Sequence, residues 1–323
     1  MADAVAPHQT NGPTARPPTK DVKLDSLVKN HNHGFRTAKV DACAVCDGRD
    51  LESVLIKNGY HLSRCNKCGL IFVTDPPSES ELRALYSPTK KYQTRYERSA
   101  EAREQFMAHC HRNFNIFKAF ASRGAVLDVG CSIGAFLSLC TGYERVGLEI
   151  NEATRKVAQS HFGLEEIYEY TLSEFHRLYP NRRFDYVTVW DVIEHLPDPN
   201  HTLEIVRKVL HPGGLLFVDT PNADGLFARA SFTLRDSFGW YHPEPPHHLF
   251  QYSVSTLTQI LQRHHFEVLR IVKFHASYRR KRSVISLRSP RGWLYLLMLG
   301  PVELAGRLIG DGDLVTVVAR KTE

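Results

Sequence analysis

From residue 125 onward the apolar positions come in short runs, separated by segments of helical period. "AVLDVG", "RVGLEI", "EEIYEY", "FDYVTVWDV" and "GGLLFVDTP" read as five strands. Most are far enough apart for a crossover helix, and that alternation predicts a parallel, doubly wound α/β sheet. The clearest crossover is "HTLEIVRKVLHPGG". Its Leu203, Val206 and Leu210 share a helical face until Pro212-Gly213-Gly214 stops it. Two later strands follow, Phe266 to Phe274 and the one in "GDGDLVTVVARK". A helix from Ser253 to Arg263, capped by Ser253, precedes the first of them.

Upstream, residues 76–123 read as a helical connector. It starts after Pro76-Pro77 at the capped "SESEL", and Phe106, Cys110, Phe114 and Phe117 form a core-facing stripe. The expected organisation is a disordered leader over 1–40, a cysteine module over 41–75, the connector, and a main domain over 124–323 with an insertion at 275–310. The leader has no apolar run of the secretory kind. No stretch of 18 uncharged apolar residues occurs, and a net charge of +6 is too mild for a nucleic-acid coat. A cytoplasmic location is expected.

The seven cysteines sharpen that picture, because four of them form two Cys-x-x-Cys pairs. Cys43, Cys46, Cys65 and Cys68 follow the pattern Cys-x2-Cys-x18-Cys-x2-Cys, which suits a small zinc ribbon. Four thiolates leave no open position on the metal, so the Zn²⁺ expected there is structural. A redox dithiol fits less well, since neither pair opens a βαβ helix.

The stretch "VLDVGCSIGAFL", Val126 to Leu137, runs from strand to turn to helix. A dinucleotide's pyrophosphate needs Gly at the second turn position, and Ser132 stands there. Asp128 would also repel a diphosphate, whereas a cationic ligand reverses the sign of that interaction. Glu149, at the end of the next strand, can take both hydroxyls of a ribose.

In order and spacing, "VLDVGCSIGAFL", "VGLEI", "FDYVTVWDVIEHLPDP" and "LHPGGLLFVDTPN" resemble the motifs of class I S-adenosylmethionine (SAM)-dependent methyltransferases. The resemblance is greatest to the small-molecule subgroup with Glu-His-Leu after the fourth strand, and "PPHHLFQYS" is similar to its entry into a late helix. The cysteine module beside such a domain is similar to sugar methyltransferases. The resemblance implies a Rossmann-like, mostly parallel seven-stranded sheet with the last strand antiparallel. It also implies that Asp128, Gly130, Cys131 and Gly134 line the methionine end of SAM and Glu149 the ribose. Thr171 and Leu172 would flank the adenine, with Asp191 or Trp190 closing the pocket.

Methyl transfer from a sulfonium needs alignment more than a nucleophile, but a hydroxyl or carbon acid must lose a proton. His195, beyond the fourth strand, and His248, in a Pro-rich loop, are the expected bases. Their plainer alternatives are an orienting contact and a loop anchor. Glu194 reads as a structural carboxylate, and Trp240 with Tyr241 either packs on the acceptor or covers the sheet edge.

The expected acceptor is a small molecule, methylated on oxygen or carbon, with a sugar or a nucleotide- or lipid-linked glycan as the specific expectation. The alternative is a nucleic-acid or protein methyltransferase that uses the zinc module for recognition. Charges in that module nearly balance, and the fourth strand lacks an Asn/Asp-Pro-Pro-Tyr/Phe end, so nucleic acid is disfavoured. In the insertion, Arg279, Arg280, Lys281, Arg282, Arg288 and Arg291 lead into "WLYLLMLGPVELAGRLIG". A solvated loop with a packed helix is the favoured reading there. Peripheral membrane contact through 279–309 is the alternative. Oligomeric state is left open.

Overall fold

The computed structural model describes residues 39–86, 99–234, 240, 243–275 and 290–322. The leader up to residue 38, positions 87–98 of the connector, Tyr241 and the basic run of the insertion between 276 and 289 lie outside the described residues.

Three short strands come first: β1 (Leu51–Lys57), β2 (Tyr60–Cys65) and β3 (Ile71–Val73). Asn58 and Gly59 join β1 to β2 with φ of 54° and 86°. That is type I′ geometry, whose twist matches the antiparallel pair it closes. Helix α1 (Glu79–Tyr86) starts on a reciprocal cap in which Glu81 N donates to Ser78 Oγ and Ser78 N to the Glu81 carboxylate. Helix α2 (Ala100–Lys118) buries Cys110 and Phe117 as the stripe predicts, and Asn113 with them.

The α/β part then runs β4 (Ala125–Val129), α3 (Ala135–Leu139), β5 (Glu144–Leu148), α4 (Glu152–Ser160), β6 (Ile167–Tyr168), α5 (Leu172–Leu178) and β7 (Phe184–Trp190). It continues with α6 (Pro199–Val209), β8 (Leu210–Pro221), α7 (Leu226–Thr233), β9 (Phe250–Gln251), α8 (Val254–Arg263), β10 (Phe266–Phe274), α9 (Pro290–Ile309) and β11 (Leu314–Lys321). Side-chain caps from Asn151, Thr171, Asp198 and Ser253 satisfy the first amides of α4, α5, α6 and α8.

The main sheet has seven strands in the order β10-β11-β8-β7-β4-β5-β6. β11 runs antiparallel to both its neighbours, and the other pairs are parallel. The expected sheet is therefore the observed one. One boundary differs. Leu210 does not end the α6 helix but begins β8, with ψ of 139° and pairing to Phe184. Its side chain is buried either way, so hydrophobic period could not distinguish helix from strand there.

The cysteine-bearing strands do not form a closed ribbon of their own. β9 pairs with β3, Ile71 opposite Gln251 and Phe72 opposite Phe250, and completes a four-stranded sheet. Leu62, Phe72, Tyr252, Leu257 and Val317 belong to one continuous core. Each such fully buried side chain contributes about 1.5–3 kcal/mol, so burial anchors the small sheet against the large one.

Candidate active site

The chain winds outward from β4 through β5 to β6, then returns to the other side of β4 as β7. The resulting switch point opens a crevice at the carboxyl ends of β4 and β7, where doubly wound sheets bind ligands. The turn after β4 sits there. Gly130, Ser132 and Gly134 have φ of 73°, 52° and 76°, all left-handed. A Cβ on Gly130 would lie 2.7 Å from Val192 of the loop after β7, and one on Gly134 2.3 Å from Leu164. Both glycines are thus required by backbone angle and by close approach.

Two carboxylates bound this turn. Asp128 is buried at the end of β4 and accepts a 2.7 Å hydrogen bond from the Thr188 hydroxyl. Burial raises its pKa to about 7, with the Glu149 charge adding to the effect and the Thr188 bond opposing it. Glu149 Oε2 accepts the Ser132 amide at 2.9 Å and Oε1 the Asn151 amide at 2.7 Å. Burial raises its pKa too, against those two bonds. Each carboxylate oxygen retains a second lone pair for a ligand hydroxyl.

Cys131 presents its backbone to the turn and its side chain to the interior. Its amide donates to Leu148 O, its carbonyl accepts Gly134 N, and its buried thiol packs toward Gly147. It backs the turn from the core side. Thr171 uses its hydroxyl in the α5 capping box with Glu174, and Leu172 is buried in the main core.

After β7, Asp191 takes φ of 52°, and a 3-10 turn carries Ile193, Glu194 and His195. Glu194 is buried, and Oε2 accepts the Thr220 hydroxyl at 2.9 Å. Burial first, then the Asp191 charge, raises its pKa well above the carboxylate range. The His195 ring lies edge-on to His248, centroids 4.7 Å apart. His195 Nδ1 donates to the His247 carbonyl at 2.6 Å, which leaves Nε2 as the proton-accepting nitrogen. Tyr86, at the end of α1, brings its hydroxyl oxygen to the same Nδ1 at 3.1 Å. The two expected bases are therefore neighbours. Trp240 is buried under Phe232 and donates its indole N–H to Ala228 O.

The sequence reading passed over a third group. His109, Arg112 and Asn113 of α2 point at the ends of β7 and β8. Arg112 Nη2 lies 2.6 Å from His109 Nδ1, and Asn113 Nδ2 lies 3.0 Å from its Nε2. That nitrogen lies 3.4 Å from Asp219 Oδ2 and 3.6 Å from Asp191 Oδ2. Arg112 also stacks on Phe274, 3.4 Å from the ring centroid. Asp219 is fully buried, and burial raises its pKa well above the usual range. The available signal was the spacing of His109 and Asn113, four residues apart beside an apolar stripe.

Away from the crevice, the four cysteines converge. Cys43 and Cys68 sulfurs lie 3.5 Å apart, as do those of Cys46 and Cys65, and all four are within 4.8 Å of one another. A tetrahedron of zinc–thiolate bonds has sulfur–sulfur edges of about 3.8 Å, so the cluster fits such an ion. A Cβ on Gly48 would lie 2.9 Å from the Cys65 sulfur, so this position has no room for a side chain. Burial pushes the Cys43 thiol up to about 11.

A family model described as "Methyltransferase domain" matches residues 95–271. The ubiquinone biosynthesis O-methyltransferase of Azoarcus sp. (strain BH72) is 36% identical over 103 residues, covering 30% of this chain and 44% of that protein. The mitochondrial enzyme of that name from Dictyostelium discoideum is 29% identical over 112 residues, 30% of this chain and 35% of that one. The matched region thus spans under half the length of these curated relatives. Among solved structures, magnesium protoporphyrin IX methyltransferase from Synechocystis PCC 6803, with bound SAH, shares the fold. The TM-score is 0.51 at 13% identity, over 76% of this chain and 100% of that one.

Proposed function

The chain belongs to the methyltransferase-domain family, and on that premise we propose that it transfers the methyl group of SAM to an oxygen or carbon of a small-molecule acceptor. The observation that carries this reading is the pair of carboxylates on the glycine turn. Asp128 and Glu149 suit a sulfonium cofactor with a ribose, and they oppose a diphosphate. In this reading Gly130 and Gly134 give backbone access to the methionine end. Glu149 holds the ribose, and Thr171 and Leu172 bound the adenine side. Asp191 closes the crevice.

The acceptor is held toward β7 and β8, and its proton goes to the His195–His248 pair. His195 is the favoured base, because the His247 carbonyl leaves Nε2 free of its hydrogen. Relatives named for ubiquinone biosynthesis favour oxygen over carbon as the methylated atom. A sugar or lipid-linked glycan remains the narrower proposal, resting on the cysteine module. The four thiolates would hold a structural zinc, which supplies cross-linking and no chemistry in the crevice. Contact with an anionic lipid surface through α9 belongs to the same proposal.

Calorimetry with SAM tests this. Wild type should bind one equivalent, and Glu149→Ala should weaken binding about tenfold or more, the cost of losing charge-assisted hydrogen bonds. A wild-type protein that does not bind SAM would overturn the reading.

A further inference from the structure

In the loop that presents His247 and His248, the amides of both histidines donate to Glu244 O, and Leu249 N donates to Glu194 O. The loop reads "HPEPPHHL", and Pro243, Pro245 and Pro246 have no N–H, so it is rich in acceptors and poor in donors. Buried or half-buried carbonyls must then find donors elsewhere. They find them on the cysteine-bearing sheet. Lys57 Nζ donates to the carbonyls of Trp240 and Pro243, both at 2.8 Å. Asn58, in the turn beside it, donates its side-chain amide to Pro245 O at 2.7 Å. At the loop's far end Val73 N donates to Leu249 O at 2.8 Å, and β3 pairs with β9. The loop is held at both ends by one small sheet, and its middle delivers the His247 carbonyl to His195.

We propose that this sheet is a positioning device for the histidine loop: the Lys57–Asn58 tip and the β3 edge fix His248 against His195, and the four-thiolate cluster fixes the sheet. Lys57 is then a positioning residue that touches no substrate. An ammonium has three donors, and two are spent on the loop carbonyls of Trp240 and Pro243. The cysteine cluster enters because Cys65 ends β2 and Cys68 lies in the turn to β3. Whatever holds those thiols together also holds the register in which β3 meets β9. The module therefore organises the site from behind, with no need for a recognition role of its own.

The inference rests on the methyltransferase reading only for the meaning of the two histidines. It is tested on the full chain, with histidine rings labelled with ¹³C and ¹⁵N and assigned through His195→Gln and His248→Gln. Lys57→Met should shift and broaden both ring signals while metal content stays unchanged. SAM affinity in the same variant should stay within about twofold of wild type, as expected for distant independent sites. Lys57→Arg, which can reach the same carbonyls, should restore the signals in part. Removing the metal from wild type with a thiol-directed chelator should move the same two signals.

Ring signals unchanged in Lys57→Met and in the chelated protein would overturn the proposal. If Lys57→Met does not fold, Asn58→Ala takes its place with the same readout and the same decision. Failure of wild type to bind SAM would count against the methyltransferase reading instead, and the ring signals would still judge this one.

Discussion

Asp128 and Glu149 bound the glycine turn, and both are legible in the sequence as acidic side chains at strand ends. The structure adds that neither is an ordinary solvated carboxylate. Asp128 titrates near 7 in the folded chain, against about 3.9 when unfolded. Between those values the folded state keeps a proton that the unfolded state has lost. Stability should therefore fall as pH rises from about 4 to 7 and level off above. Denaturant unfolding across that range should show the slope, and Asp128→Asn should reduce it. Under the proposed function, affinity for SAM should run the other way, rising as Asp128 ionises, and calorimetry at pH 6 and 8 distinguishes the two effects. His109 and Arg112 were not legible, because on a helix strip they look like one edge of a core stripe. Only the arrival of α2 over β7 and β8 gives them Asp191 and Asp219 as partners.

At the scale of elements, the strands and caps follow from local pattern. The 266–274 strand and the Ser253-capped helix occur where the pattern predicts them. The α6–β8 junction does not, because Leu210 is apolar and buried in either conformation. The small sheet is the more telling case. Cysteine spacing gives the four ligands, but β9 lies some 180 residues later in the chain, and a two-residue strand leaves almost no signal. If the cluster is structural, metal analysis should find about one zinc per chain, and Cys65→Ser should lose it. Because β3 and β9 share the main core, that variant should also unfold at lower temperature, in a single transition. A Cys65→Ser protein that keeps its metal and its melting temperature would contradict the structural-zinc assignment.

Across the whole molecule, the topology puts α9 at the ligand edge. β10 ends and β11 begins opposite Pro221, the end of β8, so the insertion between them leaves from the carboxyl side of the sheet. One side of α9 packs Leu299 on Phe227. The other leaves Trp293, Leu297, Leu304 and Leu308 exposed by 55%, 71%, 59% and 79%, at spacings that share a helical face. The arginine run precedes it, and no acidic residue occurs from 276 to 302. No helix among the described residues is long and apolar enough to cross a membrane. A surface contact is the remaining use of such a stripe by a bilayer. Wild type should co-sediment with vesicles containing phosphatidylglycerol, and Leu297→Glu with Leu308→Glu should release it, while phosphatidylcholine vesicles should bind weakly. A stable dimer in sedimentation velocity, with no vesicle binding, would assign the stripe to a second copy instead.

The strands of the large sheet, the glycine turn with its two carboxylates and the four-cysteine set are all legible in the sequence. Each of these is written in local pattern: hydrophobic period, backbone angles that only certain residues accept, and ligand spacing. Tertiary structure alone decided that Cys131 faces the core and that His195 and His248 meet. It also decided that His109 and Arg112 reach Asp219, and that the cysteine strands are completed by a strand from the late loop. Those are contacts between segments distant in the chain. Their free energy comes from burial and from hydrogen bonds that no single segment can make with itself.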